Sequence, residues 1–285
     1  LRDKEGFALA ILNIEDIWKP DIDEESSHVF GTSDLKHPGV NHLYNFSEKY
    51  YIGGSIQKIS YPTYYDNKSY RHTPAQLKKI FMKKGWKNII AFQTRNPLHK
   101  AHYELTKQAM KELNANLLLH PVVGMTKPGD VNHYTRTRCY EHVMKEYPKN
   151  SAMLSLLPLA MRMAGPRETI LHAIIRKNYG CTHLIVGRDH AGPGLDSQGN
   201  PFYGPYDAQN MLREFENEIG ISMVPFKFMV YVPKIKKYVP VDDVEKELEY
   251  KTLSGTELRD YLSKGREIPE WFTFKAVARE LERSN

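Results

Sequence analysis

The side chains best suited to chemistry lie in one short segment, Gln93 to His102, with the sequence QTRNPLHKAH. Arg95 can hold a tetrahedral oxyanion through two parallel hydrogen bonds. His99 and His102 are three residues apart, so they share one face of a helix. We expect both in the first turn of that helix, where unpaired backbone N–H groups and the helix dipole attract anions. The segment therefore predicts a site for phosphate or a similar anion.

Two other interpretations of the histidine pair stay open at this point. Histidines at this spacing also occur as surface or structural residues, and histidine pairs also bind zinc. The zinc metalloprotease motif needs histidines four residues apart with an adjacent Glu, and this pair has neither. Arg95 and Asn96, just before the pair, favour phosphate. We expect Pro97 in the first helical turn, where its missing N–H costs nothing.

A second segment, Gly187 to Gly194, has the sequence GRDHAGPG and follows another apolar run. Its glycines allow backbone N–H groups to come close to an anion. Arg188 adds positive charge, and Asp189 and His190 add hydrogen-bonding groups. The alternative is an ordinary glycine-rich turn with a buried ion pair. Two such loops, each with an arginine at the end of a strand, indicate an anion site more strongly than one loop alone.

Two further segments are weaker candidates. Residues 161–168 contain Arg162 and Arg167, which could add positive charge to the same site. A basic loop with a helix start at Pro166 explains most of that segment equally well. Residues 226–230 suit a buried strand, of which one edge residue could pack on an adenine ring.

The absence of several common catalytic motifs limits the kinds of catalysis that the sequence supports. The sequence contains no Walker A phosphate loop and no G-x-S-x-G nucleophile motif. Cys139 and Cys181 match neither a disulfide framework nor a cysteine zinc motif, which indicates a reducing compartment. Neither cysteine has a neighbour that would activate it. The predicted chemistry is therefore positioning and charge neutralisation, without a covalent enzyme intermediate.

These segments need a framework that brings them together. After residue 70, apolar strands alternate with amphipathic helices, which predicts a mostly parallel sheet covered on both faces. Ligands of such sheets bind beyond the carboxyl ends of the strands, where the candidate segments lie. The predicted strands are 88–93, 116–123, 152–157, 182–186 and 222–232, and the predicted helices are 98–113, 134–145, 166–177 and 206–218.

The two ends of the chain show other patterns. Residues 1–70 are typical of a small β domain, because they combine short apolar runs with turn signals and no strong helical period. Thr73 and Pro74 predict the start of a helix. The predicted strands near the N-terminus are 8–12 and 50–52, and the predicted turns are Lys19-Pro20-Asp21, His37-Pro38-Gly39 and Gly53-Gly54. The tail predicts a basic loop at 234–237 and helices at 256–264 and 271–282.

Composition and net charge limit the class of protein that this sequence can represent. The 285 residues are 41% hydrophobic and 26% charged, as in ordinary globular proteins, and the net charge of +6 suits an anionic substrate or a nucleic acid. No apolar run approaches the roughly 20 residues that span a bilayer, and the charged residues at the start, from Arg2 to Glu5, do not predict a signal peptide. The chain opens on Leu1, so we expect an incomplete N-terminal part.

Several of these segments together resemble the ATP sulfurylases. The segment from Gln93 matches the Q-x-R-N-P-x-H-x-x-H signature of that family, and the segment from Gly187 matches its G-R-D-H-A-G loop. The resemblance extends over nearly the whole chain, with its motifs in the family's order. The other matching segments are 30–32 and 37–40 near the N-terminus, 163–168 with the letters AGPRE, and 254–259 and 268–272 near the C-terminus.

The resemblance implies an α/β fold. A Rossmann-like nucleotidyltransferase domain over 71–235, related to class I aminoacyl-tRNA synthetases, would follow a partial PUA-like β domain over 1–70. A small helical subdomain would occupy 236–285. The implied reaction joins sulfate to the AMP part of ATP, by direct in-line attack on the α-phosphorus, and releases pyrophosphate. The implied products are adenosine 5′-phosphosulfate and pyrophosphate, with Mg²⁺ carried as MgATP and no metal bound by the protein itself.

The resemblance also implies roles for individual residues. Sulfate would be held by Gln93, Arg95 and the backbone of Ala191. The catalytic group would be Thr94, Arg95, Asn96, His99 and His102. The ATP site would comprise Gln93, Asn96, His99, His102, Gly187, Arg188, Asp189 and His190, with Met229 or Val230 against adenine.

The sequence leads to expectations about the oligomeric state, location and binding partners, and two rival functions stay open. The resemblance implies a homo-oligomer in the cytoplasm that binds neither nucleic acid nor membrane, with a plastid location open if a transit segment precedes Leu1. One rival is another nucleotidyltransferase that uses a carboxylate or a phosphate ester as acceptor. The other is an RNA-binding module, which predicts basic and aromatic residues on one face. The basic and aromatic residues are instead dispersed, so the sequence disfavours RNA binding.

Overall fold

Short apolar runs and amphipathic helices alternate along most of the chain in the computed structural model, which describes residues 1–124 and 131–284. The strands in the described ranges are β1 Ala10–Trp18, β2 Tyr51–Lys58, β3 Ile89–Phe92, β4 Asn116–Leu119, β5 Ala152–Leu154, β6 His183–Val186, β7 Ser222–Pro225, β8 Met229–Val232 and β9 Lys237–Pro240. The α-helices are α1 Ile22–Phe30, α2 Pro38–Phe46, α3 Pro74–Lys83, α4 Lys100–Glu112, α5 His133–Met144, α6 Gly165–Asn178, α7 Asp207–Ile219, α8 Gly255–Ser263 and α9 Lys275–Arg283.

The central sheet has five parallel strands in the order β5-β4-β3-β6-β7. The chain moves outward in one direction from β3 and in the other direction from β6, so the topological switch point lies between these two neighbours. In open α/β sheets, ligands bind outside the carboxyl ends of the strands at this point. The predicted α/β class with a mostly parallel sheet is confirmed.

Both faces of this sheet are buried, as the apolar strand sequences require. Side chains alternate between the faces: Ile90 and Phe92 belong to one core cluster, and Ile89 and Ala91 to the other. Residues of α4, α5, α8 and α9 cover the first face. Residues of α3, α6 and α7 cover the second face, which produces a three-layer α/β/α arrangement.

The N-terminal part contains two helices that the sequence interpretation missed. We expected turns at Lys19-Pro20-Asp21 and at His37-Pro38-Gly39, and both are helix starts. The Asp21 side chain caps α1 by accepting the N–H of Glu24, and His37 Nδ1 caps α2 by accepting the N–H of Gly39. Pro38 then occupies the first helical position, where proline is favoured. β1, before α1, and β2, after α2, pair as an antiparallel two-stranded sheet.

Residues 222–232 form two strands, where one had been predicted. β7 joins the central sheet and ends at Pro225, which has no N–H to extend the ladder. β8 lies in a separate antiparallel pair with β9. The predicted helix start at Thr73 is present, and the predicted tail helix 256–264 is α8, which Ser254 caps. Thr73 and Ser254 each form a capping box with the residue three positions later. Across both described ranges, no helix has the length and hydropathy that crossing a bilayer requires.

Candidate functional site

The two strongest candidate loops begin side by side. β3 ends at Phe92 and β6 ends at Val186, and these two strands are hydrogen-bonded neighbours at the switch point. Residues 93–99 leave the end of β3 and lead into α4, and residues 187–194 leave the end of β6. The sheet therefore brings together the two segments that were selected from sequence, although they are about 90 residues apart along the chain.

The loop after β3 is shaped by hydrogen bonds of its own. The Thr94 hydroxyl accepts the N–H of Asn96 at 3.0 Å and donates to the carbonyl of Asn96 at 3.0 Å. The carbonyl of Thr94 accepts the N–H of Val122 at 3.1 Å. Both functions of the Thr94 hydroxyl are thus engaged inside the loop, which makes this residue a shaping element.

Two buried side chains of α5 hold the same loop from behind. Arg136 donates to the carbonyl of Arg95 at 2.8 Å and to the carbonyl of Val122 at 3.2 Å. The Tyr140 hydroxyl donates to the carbonyl of Asn96 at 2.9 Å. Arg136 is 2% exposed and Tyr140 is fully buried. These contacts turn two loop carbonyls toward the interior, away from any anion at the strand ends.

The side chains of this loop face outward to different degrees. Gln93 and Arg95 are partly buried, and Asn96 is exposed. The amide oxygen of Gln93 is buried and has no hydrogen-bond partner among the described residues. A buried polar atom without a partner costs about 1–3 kcal/mol. The Gln93 amide therefore has an unmet hydrogen-bonding requirement at the end of β3.

The histidine pair lies at the start of α4, which begins two residues later than predicted. His99 is the residue before the first helical turn, with extended backbone angles, and His102 is the third residue of the helix. Pro97 precedes the helix by three residues, so its predicted place in the first turn is wrong. His102 Nδ1 accepts the backbone N–H of His99 at 3.2 Å, which satisfies an N–H that would otherwise be unpaired. The two ring centroids lie 6.0 Å apart.

These imidazoles are uncharged at neutral pH. Burial lowers the pKa of His102 to about 4, and burial together with the nearby His102 lowers the pKa of His99 to about 3. Because His102 Nδ1 accepts a backbone N–H, the neutral ring carries its proton on Nε2. His102 therefore offers one neutral N–H donor, as a phosphate ligand requires.

Substitutions can distinguish the roles of the two ring nitrogens of His102. In His102→Asn, the side-chain oxygen takes the place of Nδ1, so the bond to the His99 N–H is kept. In His102→Ala this bond is lost, and we expect a free energy of unfolding about 1 kcal/mol lower than that of His102→Asn. Thermal unfolding followed by circular dichroism measures the difference. Equal midpoints for the two variants would contradict the capping role.

His99 contacts a region that the sequence interpretation did not connect with the site. Its Nδ1 lies 3.1 Å from the Thr273 hydroxyl, and its ring packs on Phe272 with centroids 4.2 Å apart. Phe272 also accepts the N–H of Lys100 through its backbone carbonyl at 3.1 Å. The residues just before α9 thus complete the wall around the start of α4.

The loop after β6 has an unusual backbone. Asp189 and Ala191 have φ angles of 52° and 55°, in the left-handed region. A Cβ atom on Gly192 would lie 1.9 Å from Asp189 Oδ1, so a larger residue there would displace the Asp189 side chain. Left-handed residues within such a loop turn successive N–H groups to one side, which is the geometry of anion-binding nests. Three N–H groups of the loop are engaged within the protein: that of Gly187 with His190 Nδ1 at 3.4 Å, that of Asp189 with the carbonyl of Pro205 at 2.9 Å, and that of Gly192 with the carbonyl of Asp189 at 3.2 Å.

The remaining candidates lie around these loops. Arg188 is exposed, with its guanidinium 5.9 Å from the centre of the Tyr206 ring. The segment 161–168 meets the loop after β6, where the Gly165 N–H donates to the carbonyl of Ala191 at 3.2 Å. Met229 and Val230 are 6% and 0% exposed. Contact of either residue with adenine stays a prediction, and it would involve their backbone more readily than their side chains.

Other chemistry finds little support in this region. The described residues contain no group of three or more His, Cys, Asp or Glu side chains that could hold a metal ion. Burial raises the pKa of Cys139 and of Cys181 to about 12, so both remain thiols. What the strand ends offer is an arginine, an amide, neutral imidazoles and backbone N–H groups, which together suit a bound oxyanion.

The geometry agrees with the comparisons to known proteins. The profile of the ATP-sulfurylase family matches residues 68–284, which include both loops and the whole central sheet. The chain belongs to the ATP-sulfurylase family. The profile of the PUA-like domain matches residues 1–61, so the ATP-sulfurylase region follows a PUA-like N-terminal part.

Individual relatives of this ATP-sulfurylase family member are similar over the full chain. A sulfate adenylyltransferase of Mycosarcoma maydis is 52% identical over 285 residues, which are 100% of this chain and 50% of the relative. One of Schizosaccharomyces pombe is 52% identical over 276 residues, 97% of this chain and 56% of the relative. A solved structure described as hexameric APS kinase from Thiobacillus denitrificans has a TM-score of 0.77 and 30% identity, covering 99% of this chain and 48% of that chain. The chain spans about half the length of the curated relatives it matches.

Proposed function

We propose that the protein transfers the AMP group of MgATP to sulfate, with release of pyrophosphate. A sulfate oxygen forms a bond to the α-phosphorus, and the bond from that phosphorus to the oxygen bridging to the β-phosphate breaks. The electron pair of the broken bond leaves with pyrophosphate, and the product is adenosine 5′-phosphosulfate. Mg²⁺ enters as part of the nucleotide. The sulfate adenylyltransferase relatives support this reaction.

The observation that carries the proposal is the meeting of two anion-suited loops at the switch point of the sheet. Sulfate is a weak nucleophile and ATP is highly anionic, so the site must hold two anions close together. It must also stabilise the charge that moves onto pyrophosphate. One loop supplies Arg95 and the other supplies left-handed backbone at Asp189 and Ala191.

Sulfate is assigned to the loop after β3 together with the loop after β6. Arg95 provides the positive charge and two parallel donors, and the Gln93 amide can donate two N–H groups. The backbone of Ala191 completes the pocket from the neighbouring loop. This assignment rests on chemistry and on adjacency of the strand ends, with the acceptor identity supported by the relatives.

The phosphates of ATP are assigned to the start of α4. Asn96 orients them, and His99 and His102 bind them as neutral donors. Neutral imidazoles suit this task, because they can stabilise developing negative charge on pyrophosphate without binding it too tightly for release. The residues assigned to the rest of the nucleotide are Gly187, Arg188, Asp189 and His190, with Met229 or Val230 beside adenine. Thr94 contributes by shaping the loop.

Several wider assignments complete the proposal. We assign a PUA-like domain to 1–70, the catalytic domain to 71–235 and a helical subdomain to 236–285. We also propose a homo-oligomer that acts in the cytoplasm without nucleic acid or membrane, and a hexameric structure among the solved neighbours is consistent with an oligomer. Size-exclusion chromatography with light scattering tests the oligomer directly.

The decisive experiment measures pyrophosphate release from MgATP by the purified chain, with and without sulfate. We expect release that depends on sulfate and saturates with it. Sodium chloride at matched ionic strength is the control, because it separates sulfate as a substrate from a general salt effect. A folded chain that binds MgATP and releases no pyrophosphate with sulfate would contradict the proposal.

A further inference from the structure

Two buried side chains of α6 lie next to the loop after β6. Glu168 and His172 are one helical turn apart and are 3% and 0% exposed. His172 Nδ1 lies 3.1 Å from His190 Nε2, and His172 Nε2 lies 3.5 Å from Glu168 Oε1. His190 in turn accepts the N–H of Gly187 through Nδ1. These contacts form one row from a carboxylate to the first residue of the loop, in which His172 Nε2 approaches Glu168 without a hydrogen bond and has no other hydrogen-bond partner among the described residues.

The positions of the protons along this row follow from its fixed end. The Gly187 N–H can only donate, so His190 Nδ1 must be unprotonated and the neutral ring carries its proton on Nε2. That N–H donates to His172 Nδ1, which places the proton of His172 on Nε2. His172 Nε2–H then faces the carboxylate of Glu168. Each ring has a single tautomer that satisfies the row, and the carboxylate stabilises that orientation.

The carboxylate end of the row is anchored as firmly as the loop end. Glu168 accepts the backbone N–H of Arg162 at 2.9 Å and that of Ala164 at 3.0 Å. A buried arginine, Arg176, lies two turns further along α6 and supplies the opposite charge in this interior region. The row therefore connects the segment 161–165 with the loop after β6, beneath the strand ends.

We propose that Glu168 and His172 are positioning residues, which fix the tautomer of His190 and thereby the conformation of the loop from Gly187 to Ala191. This inference rests on the proposed function, because that loop is assigned to ATP and sulfate. The residues themselves do not touch either substrate. They act by holding His190, whose ring in turn fixes the backbone at Gly187.

The first test determines the tautomers by nuclear magnetic resonance of the whole chain with ¹⁵N-labelled histidine. We expect His190 and His172 both as neutral rings with the proton on Nε2. In Glu168→Gln, we expect loss of the single tautomer at His172 and broadening at His190. A wild-type His190 that carries its proton on Nδ1, or a charged His190 at neutral pH, would overturn the inference even if no variant folds.

The second test uses a matched pair of substitutions at one position. The side-chain oxygen of Asn can replace His172 Nδ1 and keep the contact with His190, whereas Gln reaches the place of Nε2 and keeps only the contact with Glu168. We expect MgATP to bind His172→Asn within about threefold of wild type and His172→Gln about tenfold more weakly, as for other outer-shell partners. Each variant loses one buried contact, so a purely structural role predicts equal losses of stability and of affinity.

The outcomes separate this inference from the proposed function. Calorimetric titration with MgATP and the tautomer measurement need no turnover. A wild-type chain that binds MgATP without sulfate-dependent pyrophosphate release would contradict the proposed reaction and leave both tests intact. Equal weakening of MgATP binding in the two His172 variants would overturn the positioning role. That result would leave the proposed reaction intact, because it says nothing about sulfate turnover in the wild type.

Discussion

Arg95→Ala is expected to lower sulfate-dependent pyrophosphate release about 10³-fold, because removing one preorganised charged donor from a site of this kind costs that much. The fold should be nearly unchanged. Arg95 is only partly buried, and the contact that shapes its loop uses its backbone carbonyl, which Ala also has. We expect the thermal midpoint to shift by no more than about 2 °C. Initial rates over a range of sulfate concentrations measure the loss.

Two further variants separate the effect of net charge from the effect of the two parallel hydrogen-bond donors of Arg95. Arg213→Ala removes an exposed arginine of α7 and should leave the rate unchanged, which controls for net charge. Arg95→Lys keeps the charge without the two parallel donors, so an intermediate rate is expected. Near-normal use of sulfate by Arg95→Ala would contradict the assignment of sulfate to this loop.

The protein should lose stability steeply as the pH falls from about 6.5 toward 4. Burial lowers the pKa of His99 to about 3 and that of His37 to about 4, and it holds the pKa values of His120 and His172 well below the usual value. The unfolded chain, with histidine pKa values near 6.5, then binds more protons than the native state below that pH. The stabilisation is complete above pH 6.5, and each such histidine loses about 2 kcal/mol of it by pH 5.

Urea unfolding at pH 7.5, 6.0 and 5.0 tests this expectation through the change of the midpoint. His99→Gln should reduce the dependence on pH by about one proton, whatever its effect on the midpoint at pH 7.5. His28→Gln is the matched control, because His28 is exposed and should leave the dependence unchanged. A midpoint that stays constant between pH 7.5 and 5.0 would show that these histidines are not buried in the neutral form.

The loops of the site were predictable from sequence for a definite reason. A short apolar run such as residues 89–92 is typical of a buried parallel strand, and parallel strands place their carboxyl ends on one edge. Polar residues directly after such a run therefore gather at that edge, whatever the connection between the strands. The signals at Gln93 and Gly187 are of this kind, and the structure places both at the switch point.

The supporting residues could not be predicted in the same way. Arg136 and Tyr140 lie on a helix that shows only an ordinary amphipathic pattern, and their partners are carbonyls about 40 residues away. His172 looks like any helical histidine until the fold places His190 against it. Contacts of this type depend on how helices pack on the sheet, and no local pattern in one sequence contains that information.

The missed N-terminal helices have a different cause. Proline followed by Asp, and His-Pro-Gly, are signals for turns and for helix starts alike, because proline suits both positions. We interpreted them as turns since the surrounding residues showed little helical period. The side-chain caps at Asp21 and His37 decide the matter, and they become visible only when the chain geometry is known.

The inward carbonyls of the loop after β3 limit how this site can be moved to another protein. Arg136 and Tyr140 of α5 hold the carbonyls of Arg95 and Asn96. A designer who transplanted only residues 93–102 onto another strand-to-helix junction would keep the bond from the Thr94 hydroxyl to the Asn96 carbonyl but leave the Arg95 carbonyl free to rotate toward the ligand. A lone pair facing an oxyanion repels it. The smallest portable unit is therefore the loop together with α5, and a saturation library would find Arg136 as intolerant to change as the residues that bind the anion.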